Sequence, residues 1–258
     1  MKNTAQSAKH IASCSFGKDS LASILLAIEH DEPLDEAVYC EVMFDKEISG
    51  EIPEHIDFIH NKAIPYLEQH GIKTVVLRSD WTYMDSFNFV ITRGDRKGKL
   101  RGFPICGMCA ICRDCKLPPI NTYLKNLPKD TIQYIGIAKD EQERLMRLDA
   151  KKISLLAKYD VCELGALELD KRHGLVSPIY EFTDRGGCFF CPNAKVKELR
   201  HLYDHHKDLW KKMLELQTIP NKASELFNRQ LRFDEIDSIF KMEDAQMNIF
   251  DFINGKEE

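Results

Sequence analysis

Two sets of residues in this 258-residue chain have the types and spacing to do chemistry: Ser15-Phe-Gly-Lys-Asp-Ser20, and six cysteines in two tight groups. The hexapeptide gathers two hydroxyls, a glycine, a lysine and a carboxylate in one turn. Gly17 lets the backbone come close to an anion, Lys18 adds a point charge, and Ser15 and Ser20 donate hydroxyls. Asp19 is placed to cap a helix or to meet magnesium. The cysteines are Cys106, Cys109, Cys112 and Cys115, at three-residue spacing, and the Cys-x-x-Cys pair Cys188 and Cys191. Four such thiolates suit zinc or an iron–sulfur cluster, and spacing alone does not rank the four of the first group.

The elements around the turn make it an anion site. Ile11-Ala-Ser-Cys14 ahead of it has strand character. Leu21 to Ile28 behind it is apolar nearly all round, as in a buried helix. A strand, a polar turn and a helix start point backbone N–H groups and the positive helix end at one place. The spacing is not that of a Walker A loop.

Further strands are predicted over Ala37 to Phe44, Ile72 to Leu77 and Thr131 to Ala138, with helical patterns between them. Strand–helix alternation predicts a doubly wound α/β domain with a mainly parallel sheet. Such sheets hold ligands beyond the carboxyl ends of their strands. Asp45 stands at one such end and Gly136 at another, with Arg144 and Arg147 on a helix face just after it. Glu51 to Gln69 reads as a helix weakened at Pro65. The division expected is a nucleotide-binding unit with the Cys-rich site over 1–192 and a helical region over 193–258, ending in an acidic helix and tail.

Hydrophobic residues make up 43% and charged residues 30%, the balance of a soluble protein, and no apolar run reaches membrane-spanning length. A cytoplasmic location is expected, since the first residues lack a signal-peptide pattern and the cysteines are not spread as a disulfide framework. The net charge of −5 argues against indiscriminate nucleic-acid binding but not against a local basic site. Arg93, Arg96, Lys97, Lys99 and Arg101 supply one, in a Gly-punctuated stretch read as a mobile loop that contacts an anionic substrate or nucleic acid. Cys14, Cys40 and Cys162 read as small buried hydrophobes. His201, His205 and His206 fall at a helix–helix junction and read as structural. The oligomeric state is left open.

With these pieces in place, the chain resembles the phosphoadenosine phosphosulfate (PAPS) reductase family of the PP-loop ATP pyrophosphatases, over roughly residues 9 to 195. Ser15-Phe-Gly-Lys-Asp-Ser20 is similar to the family's nucleotide loop. Asp45 with Pro53-Glu54 resembles its Asp-Thr-Gly…Pro-Glu segment, and the stretch from Ile153 to Ser177-Pro-Ile-Tyr180 its Pro-Leu…Asn-Pro-Leu-Tyr segment. Gly187-Cys188-Phe-Phe-Cys191 resembles the loop that binds half of the iron–sulfur cluster in adenylyl-sulfate reductases, and Lys116-Leu-Pro-Pro119 the Lys-x-x-Pro behind the other half.

The resemblance implies ATP, Mg2+ and a 4Fe-4S cluster as cofactors, with zinc as the rival metal. It implies nucleotide binding by Ser15, Phe16, Gly17, Lys18, Asp19, Ser20, Gly136 and Arg144, with Lys18, Asp19 and Asp45 catalytic. Cys188 and Cys191 would supply two metal ligands. Alignment on Lys116 and Pro119 favours Cys109 and Cys112 for the other two. The chain lacks the reductases' C-terminal nucleophilic cysteine, and its Gly-Lys-Asp-Ser resembles the ATP-using members, including DNA-phosphorothioation enzymes. The implied activity is cleavage of ATP to AMP and pyrophosphate to adenylate a substrate for sulfur transfer, with a cysteine desulfurase or other sulfur donor as partner. The alternatives are a sulfonucleotide reductase and a non-catalytic, metal-stapled nucleotide-binding protein.

Overall fold

The computed structural model describes residues 8–104 and 109–254, with side chains to 246. The strands are β1 (His10–Cys14), β2 (Glu36–Glu41), β3 (Lys73–Arg78), β4 (Ile132–Ile135) and β5 (Lys152–Ile153). They form one sheet in the order β3-β2-β1-β4-β5, and every pairing is parallel. This is the doubly wound α/β fold that the alternating pattern predicts.

The first helices are α1 (Lys18–Glu29), α2 (Pro53–Phe58), α3 (Ile64–Gln69) and α4 (Tyr83–Phe87). Then come α5 (Leu117–Lys125), α6 (Gln142–Leu145), α7 (Leu155–Lys158) and α8 (Glu163–Arg172). The last are α9 (Val196–His205), α10 (Lys207–Thr218) and α11 (Phe233–Asn254). The helix expected over 51–69 is split by a π-turn at Ile59–Ala63, just ahead of Pro65, whose missing N–H leaves the ladder short of a donor. The strand expected to run to Phe44 stops at Glu41. The chain turns there, with Gly50 N–H donating to Val42 O at 2.7 Å and Phe44 N–H to Ile48 O at 2.8 Å.

The chain leaves β1 toward β2 on one side, and β4 joins β1 from the other. The carboxyl ends of β1 and β4 therefore flank the switch point, where such sheets open a crevice. One apolar core lies under the sheet and α1, from Ile24 and Leu25 to Leu155 and Leu169. A second is rich in aromatic rings. It joins Phe44, Tyr83, Phe189 and Phe190 with Trp210, Phe233 and Phe240 of the C-terminal helices, so it draws on both sides of residue 192. Tyr83 stacks on Phe190 at 4.0 Å between ring centres.

Candidate functional site

The turn after β1 is held in an unusual shape. Phe16 has φ +55°, left-handed backbone that a bulky side chain adopts only when its surroundings compel it. The compulsion is burial: the Phe16 ring sits in the core edge-on to Tyr39, 5.3 Å between centres, and its N–H donates to Cys14 Sγ at 3.2 Å. Phe16 thus shapes the turn from within the core. The ring does not reach the ligand side.

Gly17 is the N-cap of α1 and offers no side-chain cap, so the first-turn N–H groups are left to other partners. Lys18 N–H donates to Tyr180 Oη at 2.7 Å, and a Cβ on Gly17 would lie 3.2 Å from that oxygen. Ser20 Oγ donates to Gly17 O at 2.9 Å and accepts from Ser15 N–H at 3.2 Å. The Lys18 ammonium donates to Asp19 at 2.9 Å and to Glu163, at the start of α8, at 3.2 Å. Burial pushes the Asp19 carboxyl up, opposed by Lys18.

His55 braces the turn from below. Its Nε2 lies 3.2 Å from Ser15 O, which can only accept, so Nε2 carries the proton and Nδ1 accepts from Ser177 Oγ at 2.9 Å. Burial holds this imidazole below its usual pKa, in keeping with a neutral ring that donates at Nε2 and accepts at Nδ1. The sequence carries no signal for this residue beyond its place after Pro53-Glu54.

A cavity of about 580 Å³ opens over the turn. Ser15, Gly17, Lys18, Asp19 and Ser20 line it, together with Gly136, Arg144, Lys116 and four cysteines: Cys109, Cys112, Cys188 and Cys191. The turn, the end of β4 and both cysteine groups thus share one space. Arg144 is paired with Glu141 at its edge.

The Cys188 loop is docked by backbone pairing. Glu51 bridges to Cys188, and Phe189 N–H donates to Gly50 O at 2.9 Å. Gly50 is needed there, since a Cβ would stand 2.7 Å from Val42 O and 2.9 Å from the Phe190 ring. Arg185, half-exposed, faces Cys191 and Cys188 and pairs with Glu198 at 3.2 Å. Burial, more than neighbouring charge, pushes the Cys188 thiol well up. A metal would reverse that by binding the thiolate.

Among the described residues no three cysteine sulfurs lie within 4.8 Å of one another. Tetrahedral zinc with bonds of about 2.3 Å needs sulfurs roughly 3.8 Å apart. A four-cysteine zinc site drawn from these six residues would include at least three described ones. The soft donors fit an iron–sulfur cluster in donor type, and zinc equally so.

Three expected site residues lie away from the cavity lining. Asp45 is absent from the cavity lining. Its Oδ1 accepts from Glu47 N–H at 2.9 Å and Ile48 N–H at 2.8 Å, closing the turn after β2. Glu51, further along, lines the cavity in its place. Cys115 is fully buried in the aromatic core, and burial pushes its thiol up to about 12. Phe16 is absent from the lining, with its ring in the core and its N–H donated to Cys14 Sγ. Cys106 lies outside the described residues. Cys14 and Cys40 are buried, as a small hydrophobe would be, whereas Cys162 is only partly buried.

The basic stretch is a hydrogen-bonded hairpin and not an open loop. Ile91 N–H donates to Lys99 O at 2.9 Å, Gly98 N–H to Ile91 O at 2.8 Å, and Asn221 Nδ2 to Gly98 O at 3.0 Å. Arg93, Arg96, Lys97 and Lys99 are exposed on it. Arg101 is apart from them: it pairs with Asp114 at 2.5 Å and lies over the Phe89 ring at 4.6 Å. A larger, open groove of about 840 Å³ runs between Trp81, Phe89 and Tyr123, but it contains neither cysteines nor turn residues. The turn residues and the four cysteines gather at the smaller cavity.

No family model and no curated relative matches this chain. Among solved structures it is similar to the U34-tRNA thiolase NcsA from Methanococcus maripaludis with its [4Fe-4S] cluster. The identity is 19% and the TM-score 0.40, over 80% of this chain and 67% of that one. No helix among the described residues is long and apolar enough to cross a membrane.

Proposed function

We propose that this protein is a PP-loop ATP pyrophosphatase that adenylates a substrate for sulfur transfer. The observation that carries the reading is the single cavity lined by both the Ser15–Ser20 turn and Cys109, Cys112, Cys188 and Cys191.

The free N–H groups of α1 and the hydroxyls of Ser15 and Ser20 would hold the β- and γ-phosphates. Lys18, drawn from its two carboxylates, would neutralise charge on the departing pyrophosphate. Gly136 and Arg144 would border the nucleoside side. Asp19, released from Lys18, would hold magnesium, which would supply charge neutralisation on the phosphates. In the first step a substrate oxygen attacks the α-phosphorus, the α–β P–O bond breaks and pyrophosphate leaves. In the second a sulfur nucleophile attacks the carbon bearing the adenylated oxygen, and AMP leaves with that oxygen. The protein's share is positioning and electrostatics.

Cys109, Cys112, Cys188 and Cys191 would hold a 4Fe-4S cluster, which when bound can present sulfur beside the nucleotide. An anionic acceptor such as a nucleic acid is consistent with the exposed charges of the 93–99 hairpin. The test is release of AMP and pyrophosphate by anaerobically reconstituted protein, given ATP, magnesium, sulfide and a pool of RNA or DNA. AMP release that depends on an acceptor supports the reading. Thioredoxin-dependent sulfite from a sulfonucleotide, with no AMP from ATP, would identify a reductase instead.

A further inference from the structure

We propose a second metal site, separate from the cysteines, formed by Glu54, His201 and His206 and suited to a divalent cation of the zinc type. Glu54 Oε1 lies 2.7 Å from His201 Nε2 and 3.0 Å from His206 Nε2, and Oε2 lies 3.0 Å from His206 Nε2. Among the described residues this is the only trio of Cys, His, Asp or Glu ligand atoms gathered within 4.8 Å.

The convergence is built by a break in the helix. Residues five apart on a continuous helix point about 140° away from each other. Here α9 ends at His205, and His206 takes φ −127° and ψ 63°, which brings its ring back toward that of His201. The His201 ring is fixed by stacking on Phe182, 3.5 Å between centres and 6° from parallel. Glu54 is held in the first turn of α2 behind Pro53. His205, on the same turn, is exposed and outside the trio.

The charges leave room for a cation. Among the described residues no Lys or Arg pairs with Glu54. The Glu54 carboxylate faces the two imidazoles in a half-buried place, with side-chain exposures of 18% for each His and 29% for Glu54. Two imidazole nitrogens and a carboxylate are the donor set that zinc and its neighbours in the first row prefer. His201 and Cys188 line one small cleft, but no described cysteine sulfur joins the trio within 4.8 Å.

The position gives the site a task. A metal there ties the α9–α10 junction to α2. The residue after Glu54 is His55, which holds Ser15 O and Ser177 Oγ. Phe182, under His201, follows Tyr180, whose hydroxyl meets Lys18 N–H. The metal would staple the C-terminal helices to the two elements that brace the nucleotide turn. This goes beyond the ATP reading and stands without it.

The test is a cobalt titration of iron-loaded protein under anaerobic conditions. One equivalent should bind with weak visible d–d bands and no added thiolate charge-transfer absorption. Zinc should displace it and raise the melting temperature. His201→Gln and His206→Gln should each weaken binding by more than about tenfold, while His205→Gln should leave it unchanged. The absence of a nitrogen–oxygen-type cobalt step in the wild type overturns the proposal, and so does a step that persists in the H201Q/H206Q double variant. Either result would leave Glu54 as a hydrogen-bond clamp for two imidazoles. If the double variant does not fold, the wild-type titration decides alone: paramagnetically shifted signals from two imidazole rings support the site, and their absence overturns it.

Discussion

Gly136 lies against Ser20: a Cβ built on Gly136 would stand 2.6 Å from both Ser20 Cα and Ser20 N, and 2.7 Å from the carbonyl carbon of Asp19. The end of β4 and the start of α1 therefore touch backbone to backbone across the switch point. Gly136→Ala must push α1 or β4 aside. We expect a loss of roughly 1–3 kcal/mol in stability, with nucleotide binding abolished. Denaturant melts and calorimetry check both.

Lys18 is held by Asp19 and Glu163 in this structure. An anionic ligand must compete with them. Glu163→Gln should tighten ATP binding a few-fold at low salt, and the gain should shrink as salt rises. Calorimetry at two ionic strengths reads this out. Weaker binding in Glu163→Gln would assign that carboxylate to the ligand or its magnesium.

Asp170, on α8, is 1% exposed, and its Oδ1 has no partner among the described residues. Burial, then the charge of Asp19, pushes its carboxyl up to about 9, with Lys18 opposing. Between the ordinary carboxylate value and 9 the folded state holds a proton that the unfolded chain has lost, so raising the pH destabilises the fold. Relative to Asp170→Asn, the wild type should lose up to about 1.4 kcal/mol per pH unit across that window. Parallel unfolding curves from pH 5 to 9 measure the difference. A constant difference would mean that Asp170 is ionised in the fold.

Cys109→Ser, Cys112→Ser, Cys188→Ser and Cys191→Ser should each lower bound iron after anaerobic reconstitution. Cys115→Ala should keep the iron and lose stability, by the few kcal/mol typical of a cavity in a packed core. Stoichiometric zinc with no iron in the wild type would instead make the centre a structural staple.

Replacing Arg93, Arg96, Lys97 and Lys99 by Ala should weaken nucleic-acid binding. The salt slope should fall by roughly 0.7–0.9 for each phosphate that the hairpin no longer neutralises. Arg101 is left intact because it serves Asp114 and Phe89. Unchanged affinity would make the hairpin an ordinary solvated surface.

The sheet was legible because each strand is a short apolar run between helical patterns, and the turn because its residue types have few other uses. Long-range pairing was not. Asp45 stands at a strand end, where ligands bind, yet two nearby N–H groups capture its carboxylate, a local event that position does not reveal. Cys115 shares the spacing of its neighbours, but spacing does not tell which thiol a π-turn buries. His55 and Tyr180 act on Ser15 and Lys18 across 40 and 162 residues, and nothing in their local sequence marks those partners. The junction histidines read as structural, and what the sequence cannot show is their partner, since Glu54 lies 147 residues from His201.

The most direct test of the central claim is calorimetry with ATP, AMP and PAPS, each with magnesium. The account predicts that ATP binds, that PAPS binds weakly or not at all, and that Lys18→Ala lowers ATP affinity at least tenfold with an unchanged melting temperature. Tight PAPS binding with no ATP binding would contradict it.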